Sequence, residues 1–210
     1  PEIGKDTWCG SWKIFYPNGR PMPLEECPMA LTLKGGRSYA GEEIIIERPD
    51  HSYRRLLVHP TPIFNDDNIL TGAHNTLVDI TGQKQDEEKQ AILSAIVESS
   101  DDAIISKNLN GVITSWNAGA QKIFGYTESE IIGKYINVLI PPELQSEEEV
   151  IINNIKAGNK IDHFQTVRIS KSGKRIPISI TVSPVRDGKG NITGASKIAR
   201  DISERIQKDE

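Results

Sequence analysis

Residues 61–83 read TPIFNDDNILTGAHNTLVDITGQ, and residues 183–205 read SPVRDGKGNITGASKIARDISER. The two stretches align without a gap at an offset of 122 positions. Six pairs are identical: Pro62/Pro184, Thr71/Thr193, Gly72/Gly194, Ala73/Ala195, Asp79/Asp201 and Ile80/Ile202. Thr81/Ser203, Leu70/Ile192 and Ile63/Val185 are close in kind. Solenoid repeats have periods of roughly 20 to 50 residues. An offset this long instead marks two copies of a domain of roughly 100 residues with a connector between them.

Working outward from the second stretch, the rest of a domain can be read. Ala103–Ser106 and Val112–Trp116 are β-prone runs on either side of the turn Asn108-Leu109-Asn110-Gly111, which predicts a hairpin. Asn117 caps a short helix over Ala118–Phe124 that stops at Gly125. Thr127 and Glu130 have capping-box spacing for a second helix ending near Gly133. Ser146 with Glu147, Glu148 and Glu149 opens a third, which ends at Gly158. Three alternating strands follow, separated by the turns Lys171–Lys174 and Asp187–Asn191. The predicted order is β-β-α-α-α-β-β-β.

The first stretch ends only a partial copy of this plan. Trp8–Tyr16 and the Pro17-Asn18-Gly19 turn lead into a loop, a short helix at Met29–Leu33 and three strands at 42–47, 53–62 and 70–78. No counterpart of the two early strands precedes them, so the first domain is expected to be truncated and its open edge covered by a helix or a partner chain. The linker, residues 83–98, is expected to be helical. Its apolar positions Ile92, Ala95, Ile96 and Ser99 fall on one stripe, to be packed on its own domain or on a second protomer.

Residues 88–203 resemble a PAS domain of the sensory-box type found in bacterial and archaeal signalling proteins. The matching segments include Ser99–Ile105, Trp116–Ala120, Phe124–Thr127, Glu130–Gly133, Leu139–Pro142, His163–Arg168 and Asp201–Ser203. The first copy resembles the later half of a related domain through Trp8–Trp12, Glu26–Ala30 and Asp79–Thr81. The resemblance implies an α+β fold, a five-stranded antiparallel sheet with short helices, in two copies joined by a helix. The divisions expected are 1–82 for the truncated first domain, 83–98 for the connecting helix, 99–203 for the complete second domain and 204–210 for the start of an output helix. It also implies a sensory module, in a larger protein such as a histidine kinase, that binds a small ligand or mediates dimerisation. The alternative is a ligand-free homodimerisation module.

Candidate lining residues for a ligand are Phe124, Ile136, Ile155, Phe164 and Ile180, all of which also suit plain core. Asp79-Ile80-Thr81 and Asp201-Ile202-Ser203 stand where a strand gives way to a helix. Their hydroxyls are expected to cap that helix, and Asp79 and Asp201 to hydrogen-bond backbone or pair with a nearby cation, as a simple cap or as a relay.

Other chemistry is poorly supported. A flavin-thiol PAS domain needs a Cys in the second copy, which has none; a haem PAS domain needs a His on the long helix at 147–157, which has none. The two cysteines, Cys9 and Cys27, read as reduced buried thiols, with a disulfide or metal half-site as the alternative. His59 and His74 would form a metal pair only if the hairpin register placed them opposite each other. Gly188, Gly190 and Gly194 lie between strands rather than before a helix, so no phosphate loop is indicated. With no kinase phosphoacceptor motif in view, catalysis by this chain is not expected. A net charge of −4 gives no electrostatic footprint for nucleic acid, and no run is long and apolar enough to span a membrane. The chain begins at Pro1, so it is expected to be a piece of a longer cytoplasmic protein with its output domain in cis.

Overall fold

The computed structural model describes residues 13–209. The expectations attached to Trp8, Cys9 and Trp12 lie outside the described residues. The chain forms two compact units, the first ending at Ala91 and the second beginning at Ile92.

The first unit holds a four-stranded antiparallel sheet among the described residues, in the order β1-β2-β3-β4. The strands are β1 (Lys13–Phe15), β2 (Glu42–Glu47), β3 (Tyr53–Phe64) and β4 (Leu70–Asp79). A single helix, α1 (Pro28–Gly35), packs over β3 and β4. Its N-terminus is capped by the buried Cys27, whose sulfur accepts the Ala30 N–H at 3.4 Å. β1 goes beyond the three strands expected. It pairs with the outer side of β2, Lys13 lying across from Glu47, and the Lys13 ammonium sits 3.0 Å from the half-buried pair's carboxylate. The outer edge of β4 carries no strand among the described residues, and Thr76, Leu77, Val78 and Asp79 are exposed. Among the described residues no helix or strand of the chain covers that edge, so of the two covers expected the partner chain is the one left open.

The helix α2 (Thr81–Glu98) follows, and the second unit then holds a five-stranded antiparallel sheet in the order β6-β5-β9-β8-β7. Its strands are β5 (Ala103–Asn108), β6 (Ile113–Trp116), β7 (Ile161–Ile169), β8 (Arg175–Arg186) and β9 (Ile192–Asp201). Between β6 and β7 run α3 (Ala118–Phe124), α4 (Glu128–Ile131) and α5 (Ser146–Lys156), and α6 (Ser203–Asp209) leaves β9. The caps follow local chemistry. Asn117 Oδ1 accepts the Ala120 N–H at 2.9 Å, Gly125 ends α3 at φ 77°, and the Thr127/Glu130 capping box forms. The inner face of the sheet and the helices enclose one apolar core that includes Ile105, Trp116, Phe124, Ile155 and Ile180.

The repeat is a repeat of hydrogen bonds as well as of residues. β3 and β8, and likewise β4 and β9, begin and end at positions 122 apart, and each hairpin shifts register at the same place, Ile63/Phe64 and Val185/Arg186. Asn65 Oδ1 accepts from the N–H groups of Asp67 and Ile69, and Asp187 Oδ1 from those of Lys189 and Asn191. Such side-chain bonds to the following backbone close the turn without a neighbouring strand. Asn68 and Gly190 take the left-handed conformation that both turns need. The paired Thr71 and Thr193 each donate a hydroxyl bond across the hairpin, to Ile63 O and Val185 O.

Candidate functional site

The strand-to-helix exits are built from the same bonds twice. Asp79 Oδ1 accepts the Thr81 N–H at 2.9 Å, and Asp201 Oδ1 accepts the Ser203 N–H at 2.8 Å. Ile80 N donates to Arg55 O and Ile202 N to Pro177 O. The first helical bonds, Lys84 N to Ile80 O and Ile206 N to Ile202 O, close both starts. The aspartates bond backbone as expected and satisfy the helix N–H, whereas the hydroxyl caps expected of Thr81 and Ser203 do not form. The carboxylate precedes the helix by two residues and reaches its first free donor, one of the four N–H groups that every helix leaves unpaired. Thr81 Oγ1 is turned instead toward β3, where it accepts the Arg55 N–H at 2.9 Å. The corresponding position in the second copy is Pro177, which has no N–H to give. Hydrogen bonding from Thr81, assisted by the charge of Arg54 at 3.6 Å, holds the Asp79 carboxyl below its usual range.

In the second unit the end of α2 and the start of α6 are joined by side chains. Arg200, next to Asp201, grips Asp102 with both edges of a fork, Nε to Oδ1 at 3.0 Å and Nη2 to Oδ2 at 2.7 Å. Asp102 lies just beyond α2. Asn117, buried, donates from Nδ2 to Val97 O in the last turn of α2 and to Asp102 O, while its Oδ1 accepts from Ile104 N and Ala120 N. Glu98 reaches over to the Ala118 N–H. The backbone approach here is so close that a Cβ on Gly119 would sit 2.3 Å from Asp102 O. An open groove of about 990 Å³ runs along this junction, walled in part by Asp102, Lys122, Lys171, Arg200 and Ser203. Sequence reasoning saw Asn117 only as a cap and missed Arg200 and Asp102, because their pairing depends on which strands become neighbours.

α2 buries no residue among those described. Ile92, Leu93 and Ile96 are each more than half exposed, so the apolar stripe is not packed on the chain's own core.

Of the five candidate lining residues, Phe124, Ile136, Ile155 and Ile180 lie together in the packed core, each at most 1% exposed. Phe164 does not join them. It is 38% exposed, on the edge strand β7, next to a register shift between Ile161 and Phe164 and the left-handed His163. His59 pairs with Thr76 and His74 with Thr61, so the two histidines are diagonal rather than opposite, and His59 Nδ1 accepts the Gly41 N–H.

The interior holds one polar corner that the sequence reading did not anticipate. Lys107, Arg168 and Lys197 are at most 2% exposed, on β5, β7 and β9. Lys107 Nζ bonds Glu148 on α5. Arg168 Nη1 bonds Glu147 Oε2 at 2.9 Å, and Thr166 Oγ1 donates to the same carboxylate. Burial lowers the Lys107 pKa, against the pull of Glu148. Burial, with the like charges of Arg168 and Lys107, lowers that of Lys197 to about 7. A signal was available: these are cations at inward positions of alternating strands, with Lys197 between the buried Ala195 and Ala199.

No described helix is long and apolar enough to cross a membrane. Residues 91–202 match a family model described as PAS fold, and residues 4–82 match one described as PAS domain. The chain is 24% identical over 156 residues to two-component system protein A of Emericella nidulans, covering 69% of this chain and 22% of that protein. It is 25% identical over 139 residues to sensor protein FixL of Bradyrhizobium diazoefficiens, covering 62% of this chain and 27% of that protein. The chain thus spans about a quarter of these relatives' length. Among solved structures, the PAS domain of a protein from Colwellia psychrerythraea superposes with a TM-score of 0.51 at 26% identity, covering 57% of this chain and 99% of that one. The chain belongs to the PAS family, with two such domains in tandem, and is a sensory signalling module.

Proposed function

We propose that this chain is the sensory and dimerising segment of a larger cytoplasmic signalling protein, and that it relays a conformational signal from α2 to α6 and on to an output domain in cis. A histidine kinase is the output proposed, in keeping with relatives named as a two-component system protein and a sensor protein, and the chain itself transmits rather than catalyses. The observation that carries the reading is the Arg200–Asp102 fork. It ties the end of β9, which leads directly into α6, to the segment leaving α2, so a displacement of one helix bears on the other. A bidentate charge-assisted pair has discrete geometries, made or broken, which suits a two-state element. Dimerisation is supported by the exposed Ile92, Leu93 and Ile96, whose spacing is that of a short coiled-coil seam.

Sedimentation of the full chain tests the dimer. A concentration-dependent dimer at about micromolar levels, lost in the double variant Ile92→Asp/Ile96→Asp, is expected. A monomer at the highest soluble concentration would remove dimerisation from the reading. Hydrogen exchange tests the relay: Asp102→Asn is expected to speed exchange in α6 as well as at its own position, and unchanged exchange in α6 would count against coupling through this pair.

A further inference from the structure

The polar corner of the second unit has more donors than acceptors. Arg168 is fully buried, and its Nη1 serves Glu147, Thr166 Oγ1 and Val167 O. Its Nε and Nη2 have no acceptor. Those two nitrogens form one edge of the guanidinium, and their N–H bonds are spaced and aligned to take both oxygens of a carboxylate. The Lys197 side chain, in a residue 2% exposed, makes no hydrogen bond among the described residues. Three cations, Lys107, Arg168 and Lys197, face two carboxylates, Glu147 and Glu148. Glu147 is taken up by Arg168 and Thr166, and Lys107 takes Glu148 Oε1 while Glu148 Oε2 stays buried without a partner; the corner carries one uncompensated positive charge when all five are ionised. An unpaired charge and two orphaned donors in a packed interior each cost free energy that a matching guest would recover.

We propose that this corner is the receptor site for a small carboxylate, held side-on by Arg168 Nε and Nη2 and bonded a third time by Lys197. This deepens the sensory reading by naming the chemical class of what is sensed, and rests on it only for the consequence of binding. The surrounding Ile105, Ile178, Val182 and Ala195 are at most 1% exposed, so the guest is small, on the scale of acetate or a short dicarboxylate. The corner approaches the surface at Glu148, which also lines an open groove beside Asn110 and Asn137. The lowered Lys197 pKa adds a signature. A bound anion favours the charged ammonium, so binding near neutral pH takes up a proton.

The test is calorimetric titration of the full chain, at constant ionic strength set with chloride, with acetate, malonate and succinate as probes and inorganic phosphate as the comparison. Runs in two buffers of different ionisation heat measure the proton. Saturable binding of one carboxylate per chain with proton uptake is expected. Arg168→Lys should weaken it by roughly tenfold or more, since a point charge replaces the fork. Lys197→Met, which removes a buried charge and should fold, is expected to abolish the proton uptake and weaken binding. No carboxylate binding at about 10 mM, near the weak limit of specific association, would overturn the proposal. So would phosphate binding without carboxylate binding, or binding indifferent to both substitutions. Carboxylate binding that leaves α6 exchange unchanged would keep the site and sink the relay. A working relay with no carboxylate binding would do the reverse.

Discussion

Gly72 and Gly194 are the same residue of the repeat in two different surroundings, and alanine at each should act in opposite directions. A Cβ on Gly194 would lie 2.3 Å from Lys107 O, 3.2 Å from Lys107 C and 3.3 Å from Asn108 Cα, all backbone atoms of β5. Ordinary carbon contacts begin near 3.5 Å, so β5 would have to retreat by about 1 Å. That movement strains the register at Asn108↔Gly194 and Lys107↔Ala195 and disturbs a strand whose Ala103 and Ile105 are buried in the core. Overpacking of this kind costs about 1–3 kcal/mol, and each weakened ladder bond adds about 1. Gly194→Ala should therefore destabilise the second unit by about 2–4 kcal/mol. A Cβ on Gly72 meets nothing within 4 Å, because β4 has no neighbour on that side among the described residues. Gly72→Ala should be neutral or stabilise by up to about 1 kcal/mol through the unfolded chain. Urea unfolding of the full chain, read by hydrogen-exchange mass spectrometry on peptides from each unit, separates the two effects. The reasoning fails if Gly194→Ala costs less than about 0.5 kcal/mol, the size of an ordinary surface change. It fails equally if Gly72→Ala proves as costly as Gly194→Ala, which would mean that backbone covers the β4 edge in solution.

Two further expectations follow from the exits and the interior. Thr81→Ala should cost the first unit about 1 kcal/mol, because Thr81 Oγ1 accepts the Arg55 N–H, whereas Ser203→Ala should cost little, since Pro177 offers no such donor; equal losses in denaturant melts would contradict the assignment. Lys197, surrounded by Lys107, Arg168, Glu147 and Glu148, gives up its proton near pH 7 in the folded chain but keeps it to about 10.5 when unfolded. The unfolded state then holds more protons between those values, so stability of the second unit should rise from pH 7 toward pH 10, the buried charge being fully felt below pH 7. The lowered Lys107 acts in the same direction. Thermal melts of Lys197→Met should show a flatter profile and a gain that is largest at the acid end; a wild-type profile that is flat or falls across this range would contradict the burial argument.

Much of the second domain was legible because its signals are local. The Asn117 cap, the stop at Gly125, the Thr127/Glu130 box and the Asp187 turn each involve groups only a few residues apart, and all form as their residue types require. The repeat extended that reading to the existence and order of β3, β4, β8 and β9, though β3, β4 and β9 each run one or two residues further than expected. The exits were legible down to the backbone bonds of Asp79 and Asp201; the hydroxyls were not, because Thr81 finds a partner on β3, 26 residues away. Phe164 was misplaced because alternation assumes a regular strand, and β7 is irregular between Ile161 and Phe164.

The sequence by itself determined that there are two copies of one domain, where their late strands turn, and where each strand becomes a helix. Those features rest on backbone hydrogen bonds closed by side chains within a few positions. Tertiary structure alone decided that β1 joins the outer edge of β2, that Arg200 holds Asp102 across 98 residues, and that Lys107, Arg168 and Lys197 meet under α5. A charged side chain's partner depends on which strands the sheet sets side by side, and with the order β6-β5-β9-β8-β7 the second unit brings its first and last strands together at the centre, where charges distant in sequence meet.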